Sequence, residues 1–264
     1  FFNLETKTIL RISGSPKLNF LRKKLWICAE KKLFMVTCPT EELKTSLIKE
    51  RIFNKDKVKK LYDPVINIKE FINKKSEDNN KLINKDNKTY FIAAGRLTKQ
   101  KNFIYLIEEF KKFCDNFPDE KLLIFGEGEL KTKLLKEIKK KNLSKNVRLE
   151  GYTDNIYKYM LRSKAFILTS LWEDPGFVLI ESALCNSLII SSNCKNGPKE
   201  FLLNGNAGLL FESNKKNKLL EKLNEFKRLE KKQIFKKKVL AKKKSMDFTM
   251  FRHFLGIKKI IENN

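Results

Sequence analysis

The sequence has 264 residues, with 57 lysines or arginines against 31 aspartates or glutamates, and its formal net charge is +26. A hydrophobic share of 41% excludes a disordered chain, and the length is sufficient for one large core or for two domains. No run of about 18 apolar residues occurs, so no transmembrane helix is predicted. The positive charge fits solvated lysine-rich helices, anionic lipid or nucleic acid, in that order of preference.

The first residues include neither a methionine nor a basic-then-apolar signal peptide, so we expect the chain to begin inside a longer protein. The five cysteines form no CxxC pair, which indicates reduced core thiols. The single histidine, His253, has no cluster of ligand residues around it in the sequence. We therefore predict no metal site.

The first part of the chain alternates between strand and helix patterns. The predicted elements are strands at 6–12, 32–37 and 58–62, and helices at 18–29 and from Thr40, which can cap the second helix. Since these units are too few for a complete doubly wound domain, residues 1–72 are predicted to be the second half of one. The polar stretch 73–89 predicts a linker, with a long surface loop as the alternative.

From residue 90 the alternation is regular. The predicted elements are strands at 90–94, 121–125, 147–150, 165–171, 188–192 and 208–211, and helices at 103–113, 129–141, 156–163, 177–185 and 198–203. Strict alternation predicts an α/β fold with a parallel sheet covered on both faces, over residues 90–240. A lysine-rich helix is expected from about residue 215, and the segment 241–264 is predicted to hold a last helix at 246–261.

The run EDPGFVLIE, residues 173–181, follows a buried apolar strand and leads into a helix. Asp174 is expected to cap that helix, with Pro175 in its first position. Because ligands bind at the carboxyl ends of strands in open α/β sheets, the helix start is a candidate anion site. Glu173 and Glu181 stand at the two ends and can accept hydrogen bonds from hydroxyl groups. A capped helix with two solvated glutamates is the alternative.

The run GRLTKQKN, residues 95–102, follows the first strand of the regular part. Gly95 permits close approach of a ligand. Arg96 offers a planar fork to phosphate oxygens and Lys101 offers a point charge. The run is not a Walker A loop, because no Gly-Lys-Ser/Thr follows. It is a candidate phosphate contact, with an ordinary basic loop as the alternative.

Three further strand ends carry polar or glycine-rich turns. The glycines of FGEGEL, residues 125–130, fit a tight turn and a ligand contact equally well. In GYTDN, residues 151–155, Tyr152 can stack on a base or pack against the protein. In NGPKE, residues 196–200, Glu200 is expected to order the turn rather than to act on a substrate.

Taken in order, these segments resemble retaining glycosyltransferases of the family 4 type (glycosyl transferases group 1), which have the GT-B fold of two Rossmann-like domains. The two glutamates separated by seven residues match the family's Glu-x7-Glu pattern, and 95–102 is similar to its Gly-Arg-Leu…Lys segment. The resemblance covers residues 90–212 well and 1–72 loosely. It implies a complete C-terminal donor domain after the second half of an acceptor domain, whose glycine-rich first loop the sequence does not contain.

The resemblance also implies roles for individual residues. Glu173 would be the catalytic residue beside the transferred sugar, and Glu181 would hold the ribose hydroxyls. Arg96 and Lys101 would neutralise the diphosphate in place of a metal ion, and Tyr152 would lie against the base. The implied donor-binding set is Gly95, Arg96, Lys101, Tyr152, Gly176, Phe177, Val178 and Glu181.

The implied activity is transfer of a sugar, with retention, from a nucleotide-diphosphate sugar to a hydroxyl of a glycan or lipid-linked acceptor, as in polysaccharide synthesis. No cofactor is expected, and these residues alone are expected to be weak or inactive catalysts. The expected location is the cytoplasm, with the inner membrane face as a peripheral site.

The alternative function is a non-catalytic basic module that binds nucleotides, membrane or nucleic acid. Nucleic acid ranks last because no nucleic-acid motif occurs. A glycoside hydrolase fits poorly, because both carboxylates come from one strand-turn-helix unit beside a basic site.

Overall fold

The computed structural model describes residues 6–16, 18–77 and 90–262, and their strands form two parallel sheets. The strands are β1 (Ile9–Arg11), β2 (Met35–Cys38), β3 (Val58–Lys60), β4 (Phe91–Ala94), β5 (Leu122–Phe125), β6 (Val147–Gly151), β7 (Ala165–Leu168), β8 (Leu188–Ser192) and β9 (Leu209–Phe211). The helices are α1 (Phe20–Glu30), α2 (Glu41–Lys49), α3 (Ile68–Ser76), α4 (Phe103–Asn116), α5 (Lys131–Lys140), α6 (Tyr157–Arg162), α7 (Phe177–Leu184), α8 (Pro198–Phe201), α9 (Lys218–Arg228), α10 (Lys231–Ser245) and α11 (Met250–Glu262).

The first sheet has three strands in the order β1-β2-β3, all parallel. Its core is formed by buried residues of β2 and β3 and of the α2 face, among them Val36, Leu43, Leu47 and Val58. Thr40 caps α2 as predicted, because its side-chain oxygen accepts a hydrogen bond from the Leu43 N–H. Three parallel strands in sequence order are what one half of a doubly wound sheet contains.

The second sheet has six parallel strands in the order β6-β5-β4-β7-β8-β9. Its central strands are fully buried and largely apolar, as expected for a sheet covered by helices on both faces. The order of the strands reverses between β4 and β7, which defines the topological switch point of this sheet. The α/β prediction of Rossmann-like parallel sheets is confirmed.

Several predicted boundaries differ from the structure. Helix α3 runs into the predicted linker, because its Phe71 packs edge-on against Tyr157 of α6 at a ring distance of 5.2 Å. The linker residues 78–89 lie outside the described residues. The predicted lysine-rich helix is two helices, because Leu229 and Glu230 adopt extended backbone angles between α9 and α10. The boundary placed between residues 240 and 241 falls inside α10.

The last helix links the two sheets. The chain leaves the three-stranded sheet after β3, and Ile66 then pairs with the stretch that precedes α11: its N–H donates to Phe248 O at 3.0 Å, and its carbonyl accepts from Met250 N at 3.1 Å. Within α11, Nδ1 of His253 lies 2.6 Å from Tyr62 O. Helix α11 therefore returns to the point where the chain crosses from one sheet to the other.

Candidate functional site

The candidate site lies at the switch point of the six-stranded sheet, where the loops that follow β4 and β7 meet. The Thr169 hydroxyl donates to Lys101 O at 2.9 Å, and Leu171 N donates to Gln100 O at 2.8 Å. In an open α/β sheet this is the crevice in which ligands bind. The fold thus brings together the two segments that carry the predicted phosphate and carboxylate residues.

Lys101 and Glu173 form a buried ion pair at the centre of this crevice. Lys101 Nζ lies 2.6 Å from Glu173 Oε1, with side-chain exposures of 12% and 5%. The Ser170 hydroxyl donates to the same carboxylate oxygen. The Lys101 stem crosses Gly95, where an added Cβ would lie 2.9 Å from Lys101 Cε. A larger residue at position 95 would displace the lysine, so the glycine is needed for the ion pair as well as for access.

Helix α7 begins differently from the prediction. The N-cap residue is Gly176, with φ +95°, rather than Asp174, and the first helical residue is Phe177 rather than Pro175. Glycine is required there because the backbone is left-handed. The carboxylate of Asp174 instead accepts a hydrogen bond from Asn196 Nδ2 at 3.4 Å.

The first N–H groups of α7 have no acceptor within the helix. They belong to the residues predicted to meet the sugar or phosphate, and the side chain of Phe177 is 49% exposed, while that of Val178 is half-buried. The start of α7 lies beside Glu173, since a Cβ added at Gly176 would lie 3.4 Å from Glu173 Cγ. An anion at this helix start would therefore lie near the Lys101–Glu173 pair.

Glu181 lies further along α7 in a different environment. Burial raises the pKa of its carboxyl to about 7, while Lys74 lowers it and Glu70 raises it. Both neighbours come from α3, so a residue of the predicted linker reaches the site. Among the residues that the structure describes, no donor is hydrogen-bonded to this carboxylate. A ligand hydroxyl would find an acceptor there.

The other predicted residues lie on the exposed edge of the crevice. Arg96 follows Gly95 and is exposed, and Tyr152 is 78% exposed after β6. The glycines of 125–130 are explained by backbone packing, because a Cβ on Gly126 would lie 2.0 Å from Gly95 O and one on Gly128 would lie 2.6 Å from Leu97 O. Arg96 and Tyr152 are available to a ligand, whereas Gly126 and Gly128 allow the loop after β5 to pack closely against the loop after β4.

The opposite wall of the crevice comes from the three-stranded sheet, and it was not predicted. A Cβ on Gly14, after β1, would lie 2.6 Å from the Asp174 carboxylate. Asn196 N donates to Glu42 Oε2 at 2.8 Å, and Asn196 Nδ2 donates to Ser15 Oγ at 3.3 Å. The Asn-Gly-Pro run was the only available signal for Asn196, and nothing in the sequence indicated its partners.

Glu200 connects the same two sheets. Its Oε2 accepts a hydrogen bond from Glu41 N at 2.8 Å, which is the start of α2, and its Oε1 lies 3.3 Å from Lys60 Nζ. On the other side, the Glu42 carboxylate accepts a hydrogen bond from Asn196 N. Each sheet therefore contributes a carboxylate that binds a backbone N–H group on the side of the other sheet. Glu200 therefore orders the junction of the two sheets, whereas the sequence predicted that it orders its own turn.

The crevice thus combines fixed positive charge, free helix N–H groups and carboxylate acceptors between two α/β sheets. Such a set suits a ligand that carries phosphate and several hydroxyl groups. In the described part of the chain, no three His, Cys, Asp or Glu side chains gather as ligands for a metal ion. No helix among the described residues is long and apolar enough to cross a bilayer.

Comparison with known proteins assigns the class. Residues 74–240 match the family described as Glycosyl transferases group 1, so the chain belongs to this family. An uncharacterised glycosyltransferase of Methanocaldococcus jannaschii is 34% identical over 206 residues, which are 75% of this chain and 50% of that protein. The Campylobacter jejuni N-acetylgalactosamine-N,N'-diacetylbacillosaminyl-diphospho-undecaprenol 4-alpha-N-acetylgalactosaminyltransferase is 37% identical over 134 residues, 51% of this chain and 36% of its own length. The chain spans half or less of the length of these two relatives.

Solved structures agree on the fold. Anabaena HepE in complex with UDP superimposes with a TM-score of 0.80 at 16% identity, covering 98% of this chain and 72% of that one. A variant of S. aureus TarM, in complex with UDP among other ligands, superimposes with a TM-score of 0.74 at 20% identity, covering 96% of this chain and 50% of that one. These matches confirm the predicted GT-B-like architecture. The family 4 type, the start inside a longer protein and the individual residue roles stay predictions.

Proposed function

We propose that this chain carries the donor site of a retaining, metal-independent glycosyltransferase, which moves a sugar from a nucleotide diphosphate to a hydroxyl of a glycan or lipid-linked acceptor. The observation that supports this most is the Lys101–Glu173 pair beside the α7 start at the switch point. A fixed cation and a helix N-terminus are what a leaving diphosphate needs for electrostatic stabilisation. Arg96 adds a second cation from the exposed edge.

In the proposed reaction, the bond from the anomeric carbon to the diphosphate oxygen breaks and a new bond to the acceptor oxygen forms on the same face. The acceptor proton passes to the leaving phosphate oxygen. Glu173 is proposed to lie beside the sugar, and its carboxylate also fixes Lys101. Glu181 would accept hydrogen bonds from the ribose hydroxyls. A Glu173→Gln protein that kept the full transfer rate would contradict a charged role for Glu173.

Nucleotide binding tests the donor site directly. We expect calorimetric titration with UDP, GDP and ADP to show selective binding, with UDP preferred because HepE is seen with UDP. Arg96→Ala and Glu181→Ala should each weaken it by about tenfold. Arg228→Ala and Glu221→Ala, which replace exposed residues of α9, are the matched controls. Equal affinity in all five proteins would exclude this crevice as the nucleotide site.

Three finer points need separate tests. Transfer that survives a chelator would support metal independence, and the anomeric configuration of the product, measured by NMR, would decide retention. The name of the Campylobacter relative includes diphospho-undecaprenol, so a polyprenyl diphosphate sugar is the first acceptor to try, with a soluble glycan as the second. We also propose a cytoplasmic location with peripheral contact to the inner membrane face, which cell fractionation would test.

The alternative is a basic module without catalysis. It is favoured only by the formal charge of +26. Retention on DNA that falls steeply with salt, in a chain that binds no nucleotide, would support it. Saturable nucleotide binding at moderate salt would support the transferase.

A further inference from the structure

The side chain of Asp174 crosses the crevice toward the three-stranded sheet. A Cβ added at Gly14, which follows β1, would lie 2.6 Å from Asp174 Oδ1 and 2.7 Å from both Cγ and Oδ2, so the carboxylate lies directly over the Gly14 backbone. Gly14 does not have the left-handed backbone that requires glycine at position 176. The absence of a side chain at position 14 is therefore what leaves room for the Asp174 carboxylate.

Few donors of the protein reach this carboxylate. Its Oδ1 accepts one bond, from Asn196 Nδ2 at 3.4 Å, which is longer than an ordinary hydrogen bond. No residue that the structure describes donates to its Oδ2. Burial raises the pKa of the Asp174 carboxyl, and the hydrogen bond from Asn196 opposes this only in part. Since polar groups withdrawn from water are normally hydrogen-bonded, Asp174 has capacity left for a donor from a ligand.

Two further polar groups stand beside Asp174. Asn196 is only 7% exposed, and its Nδ2 donates both to Asp174 and to Ser15 Oγ at 3.3 Å, so its two amide protons are used. Its Oδ1 accepts no hydrogen bond from the part of the chain that the structure describes. Ser15 is exposed, and its hydroxyl proton is donated to no described residue. The three side chains therefore offer free acceptor oxygens and one hydroxyl donor where the two sheets meet.

These groups suit a ligand that carries hydroxyl groups. Carboxylate and amide oxygens accept hydrogen bonds from hydroxyls, whereas the charge of Asp174 would repel a phosphate. Gly14 and Ser15 belong to the sheet that is predicted to be part of the acceptor domain. We propose that Asp174 accepts a hydrogen bond from a hydroxyl group of the glycan acceptor, with Asn196 holding the carboxylate in place, and so selects acceptors that carry this hydroxyl. The inference rests on the proposed function and adds to it a residue that determines acceptor specificity.

The test measures the affinity for simple glycosides by saturation-transfer NMR, with and without UDP. The probes are methyl α-glucoside, methyl α-galactoside and methyl N-acetyl-α-glucosaminide, each beside its singly deoxygenated analogues. We expect one deoxy analogue to bind the parent about tenfold or more weakly than its glycoside, because a hydrogen bond to a charged acceptor is lost. Asp174→Ala should bind that glycoside and its deoxy analogue equally weakly. Asp119→Ala is the matched control, because Asp119 is exposed and precedes β5 at the edge of the sheet opposite the crevice, and it should keep the preference of the parent.

Gly14→Ala is a second variant that keeps the carboxylate but displaces it, since the added methyl group would lie 2.6 Å from Asp174 Oδ1. It should also reduce the preference for the glycoside over its deoxy analogue. The affinity for UDP should stay within about twofold of the parent in both variants, because neither substitution removes a group of the proposed donor site.

An Asp174→Ala protein in which the glycoside and its deoxy analogue are weakened alike would indicate a structural role and overturn the proposal. The absence of any glycoside binding by the parent would also overturn it. The proposed function can fail separately: a chain that binds no UDP but shows a glycoside preference dependent on Asp174 would refute the donor site and support the hydroxyl contact. Normal UDP binding with a preference that Asp174→Ala leaves unchanged would refute this inference alone.

Discussion

The two ends of the 173–181 turn hold glutamates in opposite electrostatic situations. Glu173 is buried, and its charge is compensated because Lys101 and the Ser170 hydroxyl both contact one of its oxygens. Glu181 is also largely withdrawn from water, but the described residues supply it with no hydrogen bond and only with Lys74 as a nearby cation. Burial accordingly raises the pKa of Glu181 to about 7.

The Glu173 end of the site is therefore preorganised by the protein, whereas the Glu181 end lacks the hydrogen-bond donors that a ligand would supply. At Glu173 the protein itself compensates the charge, so the lysine is fixed before any ligand arrives. At Glu181 a charged carboxylate is destabilised until hydroxyl donors reach it. If the proposed donor binds here, its diphosphate meets a rigid cation and its ribose meets a carboxylate that gains by being hydrogen-bonded.

Removal of the Lys101 cation is expected to have the largest effect. Lys101→Met would leave Glu173 buried without its ion partner, and we expect a loss of about 3–5 kcal/mol in the free energy of unfolding, measured by urea denaturation. The variant with Glu173→Leu added should recover much of this loss, because neither charge is then left alone. A cost below about 1 kcal/mol for Lys101→Met would mean that the protein does not hold this ion pair in place.

The second donor at Glu173 should have a smaller effect. Ser170→Ala removes a hydrogen bond to a charged group, which is expected to cost about 1.5–3 kcal/mol. Ser192→Ala is a matched control, because its hydroxyl donates to the neutral Ser170 carbonyl at 2.7 Å and should cost about 0.5–1.5 kcal/mol. Equal costs for the two variants in urea denaturation would indicate that Glu173 is not charged in the folded protein.

Glu181 predicts a pH dependence. Because burial raises its folded-state pKa from 4.5 to about 7, the folded state binds the proton more tightly, and stability falls as pH rises from 4.5 to 7 and then levels off. Glu181→Gln is neutral at every pH, so it should be more stable than the parent by about 3 kcal/mol at pH 8 and nearly equal at pH 4.5. Thermal unfolding at the two pH values measures this, and a constant difference between them would contradict the raised pKa.

Much of the crevice could be predicted from the sequence, because strand ends, glycines and charged residues are local signals. The alternation of strands and helices predicts that Lys101 and Glu173 follow the carboxyl ends of parallel strands, whereas the strand order that makes these two strands neighbours is seen only in the structure. The start of α7 could not be predicted, because the left-handed backbone at Gly176 competes with the ordinary preference for Asp174 and Pro175 as cap and first residue. The electrostatic effect of Lys74 on Glu181 was hidden because Lys74 lies in a polar segment whose helix, α3, is stabilised by packing against α6.

The contacts between the two sheets were also beyond local patterns. Glu42 and Glu200 each bind backbone N–H groups that are more than 150 residues away in sequence, since Asn196 N lies 154 positions from Glu42 and Glu41 N lies 159 from Glu200. A pattern of single residues carries no information about such pairs. The raised pKa of Glu181 is hidden for the same reason, because it depends on which side chains exclude water from the carboxyl.

Substitution of Arg96 is expected to have the smallest effect on stability, so it separates nucleotide binding from folding most clearly. Its exposed side chain has no ion pair or hydrogen bond to any residue that the structure describes. Arg96→Ala should therefore change the free energy of unfolding by less than about 0.5 kcal/mol. If the preorganised end recognises a diphosphate, the same variant should still weaken nucleotide binding by about tenfold, because a phosphate contact is lost while the Lys101–Glu173 pair stays intact. A variant that loses stability and affinity together would show that Arg96 belongs to the rigid framework, and one that loses neither would remove it from the site.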